Sequence, residues 1–250
     1  MARAAVLGRL TWQLGDVVEL TRETSSVSTL TLSVPGWMGH RPGQHIDLRL
    51  TAEDGYQAQR SYSIASAPEE GRLAVTVERL DDGEVSPYLV GEIRAGDKLE
   101  LRGPIGGYFV WEPTAFGDPL LLVGGGSGVV PLMSMLRHRA AVASRTPVRL
   151  LHSSRSIDDV IYRQELDTLA SGEGLTVHHT LTRSQPPGWK GFARRIDRDM
   201  LQEVAWPVAE SPLAYICGPT SFVENAAEIL VGLGYDPASV RTERFGATGG

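Results

Sequence analysis

Cysteine is almost absent from this chain, which contains a single one, Cys217. One cysteine cannot form an internal disulfide, a zinc site of several thiolates or a cysteine-ligated iron–sulfur cluster. The six histidines do not fill this role, because none is spaced like a set of metal ligands. His178 and His179 are adjacent on a predicted strand, so their rings point to opposite faces. The sequence therefore predicts no metal site.

Long apolar runs and runs of one charge are also missing. No apolar stretch is long enough to cross a bilayer, and residues 1–14 lack the apolar core of a secretion signal, so we expect a cytoplasmic protein without a membrane partner. The net charge is −6, yet residues 137–198 contain eleven Lys or Arg against six Asp or Glu. These cations are interspersed with acids, which argues against nucleic acid as a partner. They are either solvated helix faces or the docking region of a phosphorylated ligand.

Two hydrophobic periods divide the chain. Residues 1–113 alternate apolar and polar side chains with period two between turn signals such as Pro42-Gly43 and Asp82-Gly83, which predicts short antiparallel strands. Residues 114–250 alternate continuous apolar strands with helical segments over 129–142, 158–170 and 222–233. We therefore expect an N-terminal antiparallel Greek-key β-barrel followed by a doubly wound parallel-sheet α/β domain, with the boundary between residues 113 and 114.

Two segments of the first half could bind an anionic ligand. Arg60-Ser61-Tyr62-Ser63 lies on a predicted strand, with Arg60 and Tyr62 facing one way and Ser61 and Ser63 the other. Taken alone, it would be a partly exposed barrel strand. Gly83-Glu84-Val85-Ser86 combines a tight turn with the start of a short helix, whose free N–H groups suit a diphosphate. A hairpin loop with a capped helix is the alternative interpretation.

The second half contributes two further segments. Gly124-Gly125-Gly126-Ser127-Gly128 follows an apolar strand and precedes a helix, as a dinucleotide-binding loop does, although Val129 occupies the usual third glycine position. Cys217-Gly218-Pro219 ends a strand at the carboxyl edge of the predicted sheet, where such folds bind ligands. For Cys217 taken alone, a small buried apolar residue is the simpler interpretation.

Together and in this order, the four segments resemble the ferredoxin–NADP reductase superfamily over nearly the whole chain, from about residue 15 to residue 245. The resemblance implies an FAD-binding barrel and a nicotinamide-coenzyme domain. It places Arg60 at the FAD diphosphate, Tyr62 against the flavin and Ser63 at the flavin N5. It also places the glycine loop under the coenzyme diphosphate and Cys217 beside the nicotinamide C4.

The same resemblance implies a set of site residues. It predicts Ser63, Cys217 and Glu243 as catalytic residues. The residues that it implies for cofactor binding are Arg60, Ser61, Tyr62, Ser63, Val77, Glu84, Val85, Ser86, Phe245, Gly124, Gly125, Gly126, Ser127, Gly128, Arg155, Thr182, Arg183, Arg195, Cys217, Gly218 and Pro219.

Three arginines in that set bear on the choice of coenzyme. Arg155 follows the second strand of the α/β half, where NAD enzymes often carry an acid near the ribose. Thr182-Arg183 follows the third strand and Arg195 lies farther along, which resembles the 2′-phosphate arginines of the bacterial NADPH-dependent branch. Arg195 is preferred to Arg194 because it precedes an aliphatic residue. Each alone could be a solvated surface charge, but together they predict NADPH.

The resemblance implies a flavoprotein oxidoreductase in which NADPH passes hydride to FAD and electrons leave singly for a separate redox protein. That acceptor would be a ferredoxin, a flavodoxin, a haem protein or a molybdenum protein, and we expect the enzyme to be a monomer. One alternative is a free flavin or quinone reductase. Another is a flavin-bound electron-transfer subunit of a larger enzyme. The acidic first half is not an obvious docking face for an acidic ferredoxin.

Overall fold

The computed structural model describes residues 10–113 and 117–246. Residues 114–116, which adjoin the predicted boundary, lie outside the described residues. The strands are β1 Gln13–Arg22, β2 Val27–Ser33, β3 His45–Thr51, β4 Gln57–Ser63, β5 Leu73–Glu78, β6 Lys98–Ile105, β7 Leu120–Gly125, β8 Val148–Ser154, β9 Leu175–Leu181, β10 Leu213–Pro219 and β11 Val240–Phe245. The helices are α1 Ser86–Gly91, α2 Val129–Ala141, α3 Arg163–Ala170, α4 Arg198–Val204 and α5 Thr220–Gly232.

The first half forms the expected antiparallel barrel. Its six strands pair in the order β4-β3-β6-β1-β2-β5, so β6 returns between β3 and β1 as a Greek-key connection requires. An isolated antiparallel bridge between Ile64 and Val75 joins the chain after β4 to β5 at the other end of the order. Alternate side chains of these strands, such as Leu30, Leu48 and Leu101, are fully buried inside. The period-two pattern is therefore confirmed.

The second half forms the expected parallel sheet, with strand order β11-β10-β7-β8-β9. The order reverses between β7 and β10, which is the switch point where doubly wound sheets leave a crevice at their carboxyl edge. The glycine loop follows β7, and β10 ends in Cys217-Gly218-Pro219. Cys217 lies opposite Gly124 in the register of the two strands. The fold thus brings two predicted segments, which are about 90 residues apart in the sequence, to one edge.

The predicted helices need one correction. The helix expected over residues 158–170 begins only at Arg163, after a single turn over Ile157–Asp159. Val160, Ile161 and Tyr162 lie between them and are buried, and Tyr162 has a left-handed backbone with φ 58°. Burial of this apolar run against the barrel outweighs the local helical pattern. None of the helices in the described part of the chain is long and apolar enough to span a membrane.

The two halves share a core and are joined by hydrogen bonds from α2. Barrel-side residues, including Val27, Ala65 and Trp111, belong to the same buried cluster as α2 and one face of the parallel sheet. The Ser134 hydroxyl donates to the Ser66 carbonyl at 2.7 Å. Arg137 donates to the Ala65 carbonyl, also at 2.7 Å. These bonds fix the chain that leaves β4 against the α/β half.

A second pair of hydrogen bonds joins the two halves through β10 and β11. The Tyr215 hydroxyl and the Arg241 guanidinium each donate to the Val110 carbonyl at 2.8 Å. Tyr215 also packs edge-on against Phe109, with ring centroids 5.2 Å apart. The two halves are therefore joined through α2 and, separately, through β10 and β11.

Candidate functional site

Arg60 lies on the barrel side of the cleft and is bound by an acid. Its Nη2 is 2.6 Å from Glu84 Oε2, and the Tyr56 hydroxyl donates to Glu84 Oε1 at 2.6 Å. The two donors, Tyr56 first, lower the pKa of the Glu84 carboxyl below its ordinary value. About half of the Arg60 and Glu84 side chains is exposed. A strong cation at the cleft thus has a carboxylate as its protein partner.

The other side chains of β4 alternate as its strand geometry requires. Ser61 points away from Arg60, and its hydroxyl donates to Asp47 Oδ1 at 2.6 Å. Tyr62 packs against the barrel core, and burial raises its pKa. The Ser61 hydroxyl is thus bonded to Asp47, which is also its register partner on β3.

The segment over residues 83–86 offers backbone N–H groups, rather than side chains, to a ligand. Val85 is fully buried in the barrel core, and Ser86 Oγ accepts the Leu80 N–H at 3.0 Å. The N–H groups of Glu84, Val85 and Ser86 form none of the turn or loop hydrogen bonds within the described residues. Unpaired N–H groups are expected at a helix start and are the donors that a diphosphate accepts. Together with Arg60, this donor set fits a flavin diphosphate.

Ser63, Cys217 and Glu243 meet where β4, β10 and β11 end. The Cys217 thiol donates to Glu243, with Sγ 3.9 Å from Oε2, and Ser63 lies close enough to the same carboxyl to lower its pKa. Burial raises the pKa of Glu243 to about 7, and these two side chains oppose this rise. Burial also raises the pKa of Cys217 well above its ordinary value, and the neighbouring Glu243 adds to it. The thiol is thus protonated, and the carboxyl can hold or release a proton near neutral pH.

His45 is a fourth member of this cluster that the sequence analysis did not identify. It lies opposite Ser63 in the β3–β4 register, and its Nδ1 is 3.9 Å from Glu243 Oε1. Burial lowers the pKa of His45, so the ring is largely neutral at neutral pH. The spacing of the histidines in the sequence gives no sign of this contact. The pairing of β3 with β4, a tertiary contact, is what brings His45 to Glu243.

The glycine loop closes the other side of the cleft. Gly126 has φ +54°, and a Cβ on Gly128 would lie 2.1 Å from the Cys217 carbonyl oxygen, so both positions require glycine. The Ser127 hydroxyl donates to Glu78 Oε2 at 2.7 Å. Glu78 follows Val77, whose own side chain is buried in the barrel core, so only its backbone is available to a flavin. The loop therefore connects both halves at the cleft.

The remaining residues of β10 and β11 that were predicted to bind a cofactor are close together. A Cβ on Gly218 would lie 2.8 Å from the Phe222 ring, so close packing requires glycine there. Pro219 immediately precedes α5 and lies opposite Phe245 in the register of the two strands. Phe245 is 37% exposed at the end of β11, beyond Glu243.

The arginines expected at a 2′-phosphate lie on loops that are bonded to one another. The Arg183 N–H donates to the Arg155 carbonyl at 2.8 Å, and the Thr182 N–H donates to the Ser154 carbonyl at 2.9 Å. Arg155 also lines the cleft beside Ser127. The third arginine, Arg195, follows a segment that hydrogen-bonds to the end of β9.

Only some of the arginines on these loops form an ion pair. Across residues 10–113 and 117–246, Arg155, Arg183 and Arg195 have no carboxylate within ion-pair distance, whereas Arg194 lies 2.5 Å from Asp197. Unpaired arginines on a ligand-facing loop remain available to an anion, whereas a paired arginine must first lose its partner. Arg195 is therefore available to an anion, whereas Arg194 is held by Asp197.

A buried polar chain across the interface was also missed in the sequence. The Tyr162 hydroxyl hydrogen-bonds to Thr76, and Thr76 Oγ1 lies 2.7 Å from Thr29 Oγ1. Arg137 lies over the Tyr162 ring at 4.8 Å and forms a bidentate pair with Glu165. Nothing local in the sequence marks these residues, because the contacts join segments that are far apart in the chain.

Comparison with known proteins defines the class of the molecule. Residues 14–110 match the model of an oxidoreductase FAD-binding domain, and residues 122–228 match that of an oxidoreductase NAD-binding domain. The Vibrio cholerae flavohem-like FAD/NAD binding domain of nitric oxide dioxygenase superposes with a TM-score of 0.84 at 25% identity. That superposition covers 94% of this chain and 99% of that one. The chain thus contains the FAD-binding and NAD-binding domains of an oxidoreductase.

Two relatives place it more narrowly. The chain is 32% identical to the glycine betaine monooxygenase reductase subunit of Chromohalobacter salexigens, over 92% of this chain and 63% of the relative. It is also 32% identical to the 3-ketosteroid-9-alpha-monooxygenase ferredoxin reductase component of Rhodococcus rhodochrous, over 94% of this chain and 65% of that relative. The chain thus spans about two thirds of the length of these relatives. It belongs to the ferredoxin–NADP reductase superfamily.

Proposed function

We propose that this protein oxidises NADPH with FAD bound at the cleft and passes electrons singly to a separate redox protein. The observation that carries the proposal is the convergence of Ser63, Cys217 and Glu243 at one point of the cleft, between the two cofactor-binding halves. In this assignment the FAD-binding half is residues 1–113 and the coenzyme-binding half is residues 114–250.

The cofactors would divide the work as follows. FAD supplies the conversion of a two-electron hydride donor into one-electron steps, which no side chain of the chain can perform. Arg60 and the N–H groups of residues 84–86 would hold its diphosphate, and the Val77 backbone and Tyr62 would position the ring. The glycine loop would hold the diphosphate of the coenzyme.

The residues at the meeting point would act by placement and proton control. Cys217, buried and protonated, would align the nicotinamide rather than attack it, because its thiolate is strongly disfavoured. Ser63 lies beside Glu243 and lowers its pKa, and a carboxyl with a pKa of about 7 can take or return a proton at the edge of the flavin site. Neutral His45 would leave the charge of Glu243 uncompensated, so that the carboxyl stays easy to protonate.

The electron acceptor is proposed from the nature of the relatives. One relative is named as a monooxygenase reductase subunit and another as the ferredoxin reductase component of a monooxygenase. By analogy, the acceptor would be a redox protein of an oxygenase system. The test is anaerobic titration of the FAD-loaded protein with NADPH, followed by addition of candidate iron–sulfur or haem partners. Loss of the flavin colour with NADPH is expected, and a protein that binds FAD but resists both coenzymes would instead be an electron-transfer subunit.

The preference for NADPH rests on the three unpaired arginines. We expect Arg155→Ala with Arg183→Ala to raise the KM for NADPH at least tenfold, because charge-assisted contacts with the 2′-phosphate are lost, and to leave the KM for NADH nearly unchanged. Arg145→Ala is the matched control, since Arg145 is exposed and lies before β8 at the opposite edge of the sheet. Equal effects on both coenzymes, or a wild type that prefers NADH, would refute this preference.

A free flavin reductase remains the second candidate because of one observation. Glu84 forms an ion pair with Arg60, with Oε2 2.6 Å from Nη2, so an FAD diphosphate must compete with this carboxylate for the guanidinium. Competition of this kind weakens retention of the flavin. Gel filtration separates the two functions, since a tightly held FAD elutes with the protein and a flavin used as a substrate does not.

A further inference from the structure

His152 is a fully buried histidine on β8 that lies directly against the glycine loop. Its Nε2 is 3.2 Å from the Gly126 carbonyl oxygen and 3.4 Å from Ser154 Oγ. The ring has no exposed surface, and burial lowers its pKa to about 3, so the imidazole is neutral wherever the protein is folded. None of the roles assigned above uses this side chain.

The contact with Gly126 determines which ring nitrogen carries the proton. A neutral imidazole has one N–H, and a carbonyl oxygen can only accept, so the proton lies on Nε2. Nδ1 is then a bare acceptor, and it has no partner within the described residues. Nδ1 of His179 is also buried and has no partner within the described residues; His179 is the register partner of His152 on β9, with the ring centroids 5.8 Å apart. A buried nitrogen without a partner is costly, and a phenylalanine here would avoid that cost.

The hydrogen bond to Gly126 has an effect on the next residue. The Gly126 carbonyl and the Ser127 N–H belong to one planar trans peptide unit, so they point in opposite directions. When His152 holds the oxygen, the Ser127 N–H must point away from the buried ring. Gly126 and Ser127 both line the cleft between the two halves. The Gly126 carbonyl also accepts the Val129 N–H within the turn over Gly126–Gly128, so His152 is a second donor to the same oxygen. Gly126 has φ +54°, and the two donors together fix the orientation of this peptide.

We propose that His152 is a positioning residue for the coenzyme, which holds the Gly126–Ser127 peptide so that the Ser127 N–H faces the coenzyme diphosphate. This inference rests on the proposed function, in which the glycine loop binds NAD(P)H. His152 itself does not touch the coenzyme. The cost of its unpaired Nδ1 is offset by a loop that is ordered before the ligand arrives.

The test compares two replacements of His152 in the FAD-loaded protein. His152→Phe keeps an aromatic ring but removes the donor, whereas His152→Gln places an amide donor near the position of Nε2. We expect His152→Phe to raise the Kd for NADP⁺ about tenfold, as the loss of one hydrogen bond to a loop predicts. The FAD content and the flavin reduction rate at saturating NADPH should remain near wild type. His152→Gln should recover most of the affinity.

His178→Phe is the matched control, because His178 is adjacent to His179 but faces the other side of the sheet, towards Phe192. An unchanged Kd in His152→Phe, or a glutamine variant no better than phenylalanine, would overturn the proposal. If His152→Phe fails to fold, the tautomer of His152 in the wild-type protein, measured by NMR, tests the proposal instead. A proton on Nε2 supports the proposal and one on Nδ1 refutes it. A wild type that binds neither coenzyme would refute the proposed function, whereas the tautomer would still test His152.

Discussion

Glu243 offers the sharpest quantitative prediction, because its carboxyl is buried without a compensating cation. About a quarter of its side chain is exposed. Burial raises its pKa from 4.5 to about 7 despite the neighbouring Cys217 and Ser63. His45, the basic group beside it, has a lowered pKa and provides no charge at alkaline pH. Glu243→Gln keeps the shape of the side chain and removes the group that titrates.

The magnitude follows from linkage. A rise of about 2.5 pKa units at 1.36 kcal/mol per unit corresponds to roughly 3 kcal/mol, and solvent access reduces this to about 2–3 kcal/mol. Below pH 4.5 the carboxyl is protonated in both the folded and the unfolded chain, so it costs nothing. Between pH 4.5 and about 7 the unfolded chain releases the proton first, and the folded state loses stability as the pH rises. Above about pH 7 the full cost is present.

The assay is urea unfolding of wild type and Glu243→Gln between pH 4.5 and pH 8, at one fixed FAD concentration. We expect the variant to be more stable by about 2–3 kcal/mol at pH 8, with the difference vanishing towards pH 4.5. Reduction of the flavin by NADPH should be slower in the same variant, since the proton-holding group is gone. Glu228→Gln, on the exposed face of α5, is the control and should show no pH-dependent difference. If wild type and Glu243→Gln are equally stable at all pH values, burial of the charged Glu243 carboxylate does not destabilise the folded protein, and the reasoning is wrong.

Two further predictions concern the residues at the cofactors. Arg60→Ala should weaken FAD binding about ten- to a hundredfold, because a charge-assisted contact with the diphosphate is lost, whereas Glu84→Gln should strengthen it by releasing the same guanidinium. Fluorescence titration with FAD measures the affinity of both variants, and the two substitutions must change it in opposite directions. Cys217→Ala should lower the rate of flavin reduction in stopped-flow experiments more than it lowers the melting temperature. A wild-type reduction rate together with a clear loss of stability would leave Cys217 a purely structural residue.

The sequence predicted the architecture well because the two hydrophobic periods are local properties. Barrel strands and parallel strands fell where alternation and continuous apolar runs placed them. The helix predicted from residue 158 failed because Val160, Ile161 and Tyr162 are buried against the barrel, a contact between distant segments. Periodicity cannot report such a contact.

The candidate site was predicted only in part. Ser63, Cys217 and Glu243 were identified because their motifs resemble a family, and the structure brings them together. His45 and His152 were missed because the role of each depends on a tertiary contact. The register of β3 with β4 brings His45 to the site, and a hydrogen bond joins His152 on β8 to the glycine loop. A lone histidine on a strand carries no such signal in the sequence.

Four of the hydrogen bonds between the two halves depend on the side chains of one half and only on the backbone of the other. Ser134, Arg137, Tyr215 and Arg241 all belong to the α/β half, and each donates a side-chain hydrogen bond to a backbone carbonyl of the barrel side. A carbonyl is present whatever residue stands at its position, so the barrel can diverge at Ala65, Ser66 and Val110 without losing these acceptors. A chimera that joins this α/β half to a related barrel therefore retains all four hydrogen bonds. The reciprocal chimera retains only those whose donors the other parent happens to supply.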